Sequence, residues 1–261
     1  MEQSAIEREG DALYEAMRHR RTLAPLTDRF PGIEIDDAYA ISRHFLARRI
    51  RDGERVIGKK IGVTSRVVQE RLGVSQPDFG FLTNAMCRAD GGDVEISHTL
   101  IQPQAEGEIA FVLERDLRGP GLSIGTVLSA TRSVHACFEI VDSRIDDWRI
   151  KIQDTIADNA SCGVFVMSEE GVDPRGLDLG ACAIEVRKNG APLSRGVGAA
   201  TMGSPLNAVA WLANTLGSYG VSLQAGDIVL SGSLVPLEPI RAGDEMEATI
   251  AGIGSLSLRF V

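Results

Sequence analysis

Residues Ala105 to Leu113, which read Ala-Glu-Gly-Glu-Ile-Ala-Phe-Val-Leu, constrain this chain more than any other stretch. With the two-residue period of a strand, Glu106 and Glu108 fall on one face while Ile109, Phe111 and Leu113 take the other. Same-face neighbours lie about 7 Å apart along a strand, so at an effective dielectric near 20 two ionised carboxylates repel by roughly 2 kcal/mol. A cation turns that cost into a gain. A third acid, Glu139, sits beside Phe138, Ile140 and Val141, a poor setting for an unpaired charge. Three such carboxylates suit a hard divalent ion, Mg²⁺ or Mn²⁺, with coordination positions left open for water and substrate. The competing reading puts Glu106 and Glu108 on a solvated strand face and pairs Glu139 with Arg132 or Arg144; spacing alone leaves both open.

A strand of this kind needs a core to lie on. The 261 residues are 44% hydrophobic with a mean hydropathy of +0.01, enough to fold as a globular protein. With 27 Lys and Arg against 36 Asp and Glu, the net charge of −9 argues against nucleic acid and anionic membrane as partners and for a small molecule. Cys87, Cys137, Cys162 and Cys182 show no CxxC or Cys/His ligand spacing, which points to reduced thiols and a cytoplasmic location. The charged first residues carry no apolar leader, and Gly203, Pro205 and Gly217 break up the longest uncharged stretch, so no secretory signal or membrane span is expected.

The periodicities divide the chain into a helical N-terminal segment (1–75) and a β-rich core (76–261), an α+β arrangement. Ile6, Leu13 and Met17 share one helix face; Asp36 and Asp37 begin a second helix whose Ile41, Phe45 and Leu46 point inward. Val56 to Val63 reads as a strand, and Ser65 caps a helix that Gly73 stops. Further helices are expected from Ser123 into His135 and from Pro205, with Ser204 as cap and Gly217 as stop. Asn189-Gly190 marks a turn. In the strand around Ile57 and Ile61, either Lys59 or Lys60 points inward, and a buried ammonium needs a partner or a job. Asp78 follows Pro77, a common turn pairing. Asp158-Asn159 and the Ser231-Gly232-Ser233 loop also admit turn explanations. No GxSxG elbow supports serine-hydrolase chemistry.

Seven runs taken together, Gly58 to Ser65, Gln76 to Gly80, Leu100 to Leu113, Glu139 to Trp148, Asp154 to Ser161, Trp211 to Gly217 and Gly226 to Leu234, resemble in order and spacing the 2-hydroxypenta-2,4-dienoate hydratases (2-oxopent-4-enoate hydratases) of aromatic meta-cleavage pathways. These lie in the hydratase/decarboxylase branch of the fumarylacetoacetate hydrolase superfamily, and the resemblance covers essentially the whole chain. It implies a mixed β-roll core carrying Mg²⁺ or Mn²⁺ on Glu106, Glu108 and Glu139, Lys60 and Asp78 as acid/base groups, and Ser161, Ser231, Gly232 and Ser233 near the substrate. It also implies a homo-oligomer, with association to a 4-oxalocrotonate decarboxylase as a further partner. The reaction implied is a proton transfer to C5 of 2-hydroxypenta-2,4-dienoate, then water addition at C4 to give 4-hydroxy-2-oxopentanoate. The alternatives are the 4-oxalocrotonate decarboxylase activity of the same branch, against which Asp78 counts, and a non-catalytic partner subunit of that decarboxylase, against which the intact acids and Lys60 count. C–C hydrolysis would need a His/Glu pair that the chain does not offer beside the three assigned acids.

Overall fold

The computed structural model describes residues 1–261, the side chain of Arg71 excepted, and begins with α1 (Gln3–His19), the single turn α2 (Leu26–Arg29) and α3 (Ile35–Arg51). The seven-residue spacing of Ile6 and Leu13 on α1, two helical turns, and the four-residue spacing of Ile41 and Phe45 on α3 make two apolar stripes that are buried together, while Met17 and Leu46 are half-buried. A reciprocal capping box between Glu34 and Asp37 starts α3. After β1 (Val56–Gly62), Ser65 accepts from the Val68 amide to start α4 (Arg66–Leu72), and Gly73 ends it in the left-handed region at φ 68°.

The remaining strands are β2 (Asp78–Thr83), β3 (Cys87–Arg88), β4 (Asp93–Val94), β5 (Pro103–Leu113), β6 (Thr131–Asp142), β7 (Cys162–Met167), β8 (Ala183–Lys188), β9 (Ala191–Val197), β10 (Ile228–Ser233), β11 (Glu238–Pro239), β12 (Glu245–Ile250) and β13 (Gly254–Phe260). Among the described residues they form a mixed eight-stranded sheet, ordered β2-β1-β10-β5-β6-β7-β3 with β11 against β5, and a five-stranded sheet ordered β4-β13-β12-β8-β9. The architecture is α+β: mixed sheets behind a helical N-terminal segment. β1, although it precedes residue 76, is an interior strand, parallel to β10 and antiparallel to β2. Both edges of β1 are therefore paired, and the burial of the successive residues Lys59 and Lys60 shows that both of its faces are covered as well.

Between the strands lie α5 (Ile96–Thr99), α6 (Ile124–Ala130), α7 (Ile152–Ala157) and α8 (Pro205–Ser218). Two expectations change. The helix from Ser123 stops at Ala130, and His135 lies on β6, because Val134, Ala136 and Phe138 pair with β5 and fill the sheet interior. Gly217 lies within α8 and does not stop it; a Cβ there would stand 2.3 Å from the Gly119 carbonyl carbon, so the glycine permits close passage of a loop. No helix among the described residues is long and apolar enough to cross a membrane.

Candidate active site

Register does most of the assembly. β5 and β6 pair antiparallel with Glu106 directly opposite Glu139 and Glu108 opposite Cys137, so all three acids emerge on one face at the middle of the sheet. One carboxylate oxygen from each lies within 4.8 Å of the others. At that separation, with an effective dielectric near 20, each ionised pair repels by about 3 kcal/mol. Three such pairs would consume most of the 5–15 kcal/mol by which a typical domain is stable. The cluster thus either keeps protons or holds a cation. Glu108 and Glu139 are fully buried, yet Glu108 Oε1 and Glu139 Oε2 have no partner and Glu139 Oε1 meets only an ammonium, that of Lys60; the Gly232 amide donates to Glu108 Oε2 at 2.8 Å. Convergent, partnerless carboxylate oxygens are the donor set of a divalent metal ion, and the residues present fit one.

The titration behaviour has the same cause. Burial, reinforced by Glu139, pushes the Glu106 carboxyl up to about 7. Burial, Glu139 and Glu106 raise Glu108 well above the ordinary carboxylate range.

Beside the acids, β1 and β2 build a second pair of charged groups. Lys60 Nζ stands 3.0 Å from Glu139 Oε1, and the lysine is 2% exposed. Burial alone would lower its pKa, but Glu139, Cys162, Glu106 and Asp78 together hold it above the usual lysine value, so the ammonium is charged. Asp78 opens β2 opposite Gly62. A Cβ on residue 62 would stand 2.2 Å from Asp78 Oδ1; glycine there is what lets the carboxylate fold in toward Lys60. Both Asp78 oxygens are buried without a partner, and burial, opposed by Lys60, pushes its pKa up to about 6. Asp78 is thus a strand residue facing the cluster and is not the turn residue that Pro77 suggested. Lys59 is also buried, but alternation turns it to the opposite face, where it pairs with Asp227 at 3.0 Å. Arg144 pairs with Asp158, which rules out the Glu139–Arg144 pairing.

A cavity of about 130 Å³ opens over this floor, lined by Lys60, Asp78, Glu106, Ser161 and Ser233 on its polar side and by Val68, Leu72, Trp148, Ile150 and Leu237 among its apolar residues. Ser161 is brought to it by a turn, Asn159-Ala160-Ser161, in which every residue has a positive φ. Gly232, at φ 102°, turns its amide to Glu108. Ser231 is not brought to the cavity wall: its hydroxyl donates to the Ile109 carbonyl at 2.8 Å inside the sheet. Thr64, Thr155, Trp148 and Leu237 line the cavity without having been singled out from sequence. They come from loops and a helix, where no period marks a facing; the sole signal was the position of Thr64, Trp148 and Thr155 inside the runs Gly58 to Ser65, Glu139 to Trp148 and Asp154 to Ser161.

Comparison with known proteins bears on this geometry. The family model for fumarylacetoacetate (FAA) hydrolase C-terminal matches residues 57–261. The chain is 58% identical over 256 residues to a 2-hydroxyhexa-2,4-dienoate hydratase of Comamonas testosteroni, covering 98% of this chain and 97% of that one. It is 59% identical over 222 residues to a 2-hydroxypent-2,4-dienoate hydratase of Pseudomonas putida, covering 85% of this chain and 100% of the relative. Among solved structures, 4-oxalocrotonate decarboxylase from Pseudomonas putida G7, complexed with magnesium and adipate, superposes with a TM-score of 0.97 at 31% identity over 100% of this chain and 99% of that one.

Proposed function

The chain belongs to the fumarylacetoacetate hydrolase family, and on that premise we propose that it is a hydro-lyase of aromatic meta-cleavage catabolism, adding water to 2-hydroxypenta-2,4-dienoate to give 4-hydroxy-2-oxopentanoate. Relatives at 58% and 59% identity carry hydratase names. The single observation within the site that carries the reading is Asp78, a buried carboxylate without a hydrogen-bond partner on the cavity wall beside Lys60. Loss of carbon dioxide needs an electron sink and a proton, whereas hydration also needs a base for water.

Glu106, Glu108 and Glu139 would hold Mg²⁺ or Mn²⁺, which when bound supplies Lewis-acid stabilisation of negative charge on the substrate's oxygens. The ammonium of Lys60 offsets the negative charge of the substrate's carboxylate and C2 oxygen. Asp78, with a pKa of about 6, is ionised for the most part at neutral pH and takes the proton from the water that adds at C4. Ser161 and Ser233 offer hydroxyls to the substrate's polar end, and Val68, Leu72, Trp148 and Leu237 keep bulk water from the diene. Gly232 orients Glu108 through its amide. The four free thiols fit the reducing cytoplasm, and the protein acts as a homo-oligomer able to associate with a 4-oxalocrotonate decarboxylase.

The TM-score of 0.97 to a decarboxylase favours one second reading, decarboxylation on the same scaffold. Incubation of the purified chain with Mg²⁺ and 2-hydroxypenta-2,4-dienoate, followed by NMR, separates them. Hydratase activity yields 4-hydroxy-2-oxopentanoate; release of carbon dioxide from 2-oxohex-3-enedioate without hydration would establish the second reading, and turnover of neither substrate would leave a non-catalytic subunit.

A further inference from the structure

The turn that carries Ser161 to the cavity is an expensive piece of backbone. Asn159, Ala160 and Ser161 have φ of 56°, 51° and 52°, three successive residues with a Cβ in the left-handed region, where side chains normally clash with the following carbonyl. Such a run persists only where its surroundings over-determine it. Two sets of contacts do so. On one side the Asn159 side chain mimics a strand, accepting from the Phe81 amide at 2.8 Å and donating to the Phe81 carbonyl at 3.0 Å. On the other side lies Arg144, 2% exposed. Its guanidinium donates to the carbonyl of Asp158 at 2.6 Å and to the carbonyl of Cys162 at 3.1 Å, the two residues that bracket the turn, and its Nε pairs with the Asp158 carboxylate. The Arg144 backbone amide donates to the same carboxylate at 2.9 Å. α3 closes the socket with the Phe45 ring, 5.7 Å from the guanidinium carbon.

Resting on the proposed role of Ser161 at the substrate, we infer that Arg144 is a positioning residue: by gripping the carbonyls on both sides of the left-handed turn, its planar fork sets Ala160 and Ser161 against the cavity. A lysine would keep the positive charge opposite Asp158 but could not reach both carbonyls with fixed donor geometry. The sequence Asp-Asn-Ala-Ser, without a glycine, makes the grip necessary.

Arg144→Lys should lower kcat/KM for hydration by about tenfold to a hundredfold, the range for a reacting group displaced by an ångström or so. Mn²⁺ affinity, read by EPR titration, should stay within about twofold, since the three glutamates keep their register. Combination with Ser161→Ala should cost little beyond the larger single loss, because both changes remove one contribution. Ala160→Gly, which occupies the left-handed region without strain, should restore part of the activity to Arg144→Lys. Asp158→Asn, which keeps both carbonyls, should lose less than Arg144→Lys. Unchanged kcat/KM in Arg144→Lys, or losses that multiply in the double variant, would overturn the inference. If Arg144→Lys does not fold alone, the pair with Ala160→Gly decides: recovery of folded, active protein supports the grip, and a pair that stays unfolded rejects it. Amide exchange at 159–162 should quicken in Arg144→Lys whatever the substrate, so a wild-type chain that fails to hydrate the dienoate would count against the functional reading and leave the grip to be judged by exchange.

Discussion

Along β8 and β12 of the five-stranded sheet buried and exposed residues alternate, and Glu185, Glu245 and Glu247 all lie on the exposed face. In the middle of the eight-stranded sheet, Lys60, Glu108 and Glu139 are each 2% exposed or less. The exposed acids meet cross-strand arginines, Glu185 with Arg195 at 2.8 Å and Glu247 with Arg187 at 3.7 Å, pairs worth at most about 1 kcal/mol in water. The buried acids meet one another and a single ammonium, that of Lys60 on Glu139. On the first sheet charge is cheap and replaceable; on the second it is tolerable only with protons or a cation, so its presence marks chemistry.

The sharpest way to break that contrast is to remove the cation. EDTA should abolish hydration and Mg²⁺ or Mn²⁺ should restore it; Glu106→Gln, Glu108→Gln and Glu139→Gln should each cut turnover by about 10³-fold or more while the fold survives, given that loss of one oxyanion donor alone costs 10²–10³. Glu247→Gln on the other sheet should leave activity unchanged and stability within about 0.5 kcal/mol. Full turnover in a chelated sample would refute the metal role.

Lys59 and Lys60 carry the contrast into two adjacent residues. Lys60→Met should reduce kcat by about a hundredfold or more, as for a lost electrostatic group. Lys59→Met strands Asp227 beneath the other face and should lower stability by about 1–3 kcal/mol with turnover per folded molecule unchanged. Equal losses of rate in the two variants would mean that the face assignment does not govern function.

These neighbours also show how far the sequence could be read. Alternation placed Glu106 and Glu108 together because both lie on one strand, and the apolar frame singled out Glu139; the register that sets it opposite Glu106 is long-range and leaves no local mark. Alternation likewise separated Lys59 from Lys60, but did not show that both are buried, which depends on what packs over each face of the sheet. Pro77 suggested a turn at Asp78 because local chemistry is ambiguous there, and pairing with β1 overrides it. The helix expected to reach His135 failed for the same reason: β5 captures the chain after Ala130. Asp158-Asn159 admitted a turn, but the continuation of the left-handed run through Ala160 and Ser161 was illegible, since nothing in Ala-Ser asks for it and Arg144 supplies the reason from another element.

A smaller effect is expected at Asp78. Asp78→Asn should fold, bind metal and still exchange solvent deuterium into the substrate through tautomerisation, yet form 4-hydroxy-2-oxopentanoate about a hundredfold more slowly, the lower range for one general base. NMR reads both processes in one sample. Hydration at the wild-type rate would return Asp78 to a structural role and strengthen the decarboxylase reading.

The smallest effect is in stability, and it sets the two sheets against each other without substrate. Glu106 has a folded-state pKa of about 7 against an ordinary value of 4.5, so between those limits the folded chain binds more protons than the unfolded one. Stability then falls as pH rises through that window, because stability rises with pH only where the unfolded state holds the extra protons. A shift of this size corresponds to about 2–3 kcal/mol after allowance for the half-buried position of Glu106, or roughly 4–10 °C in Tm for a chain of this length. Metal-free wild-type protein should therefore melt lower at pH 8 than metal-free Glu106→Gln, whereas at pH 4 the two should nearly coincide. Saturating Mg²⁺ should reverse the order at pH 8, since the ion binds the ionised carboxylate. Glu247→Gln, on the solvated sheet, should track the wild type at every pH with or without metal. A metal-free gap between wild type and Glu106→Gln that does not widen with pH would show that the acids are not held protonated by their burial, and that the eight-stranded sheet treats charge no differently from its neighbour.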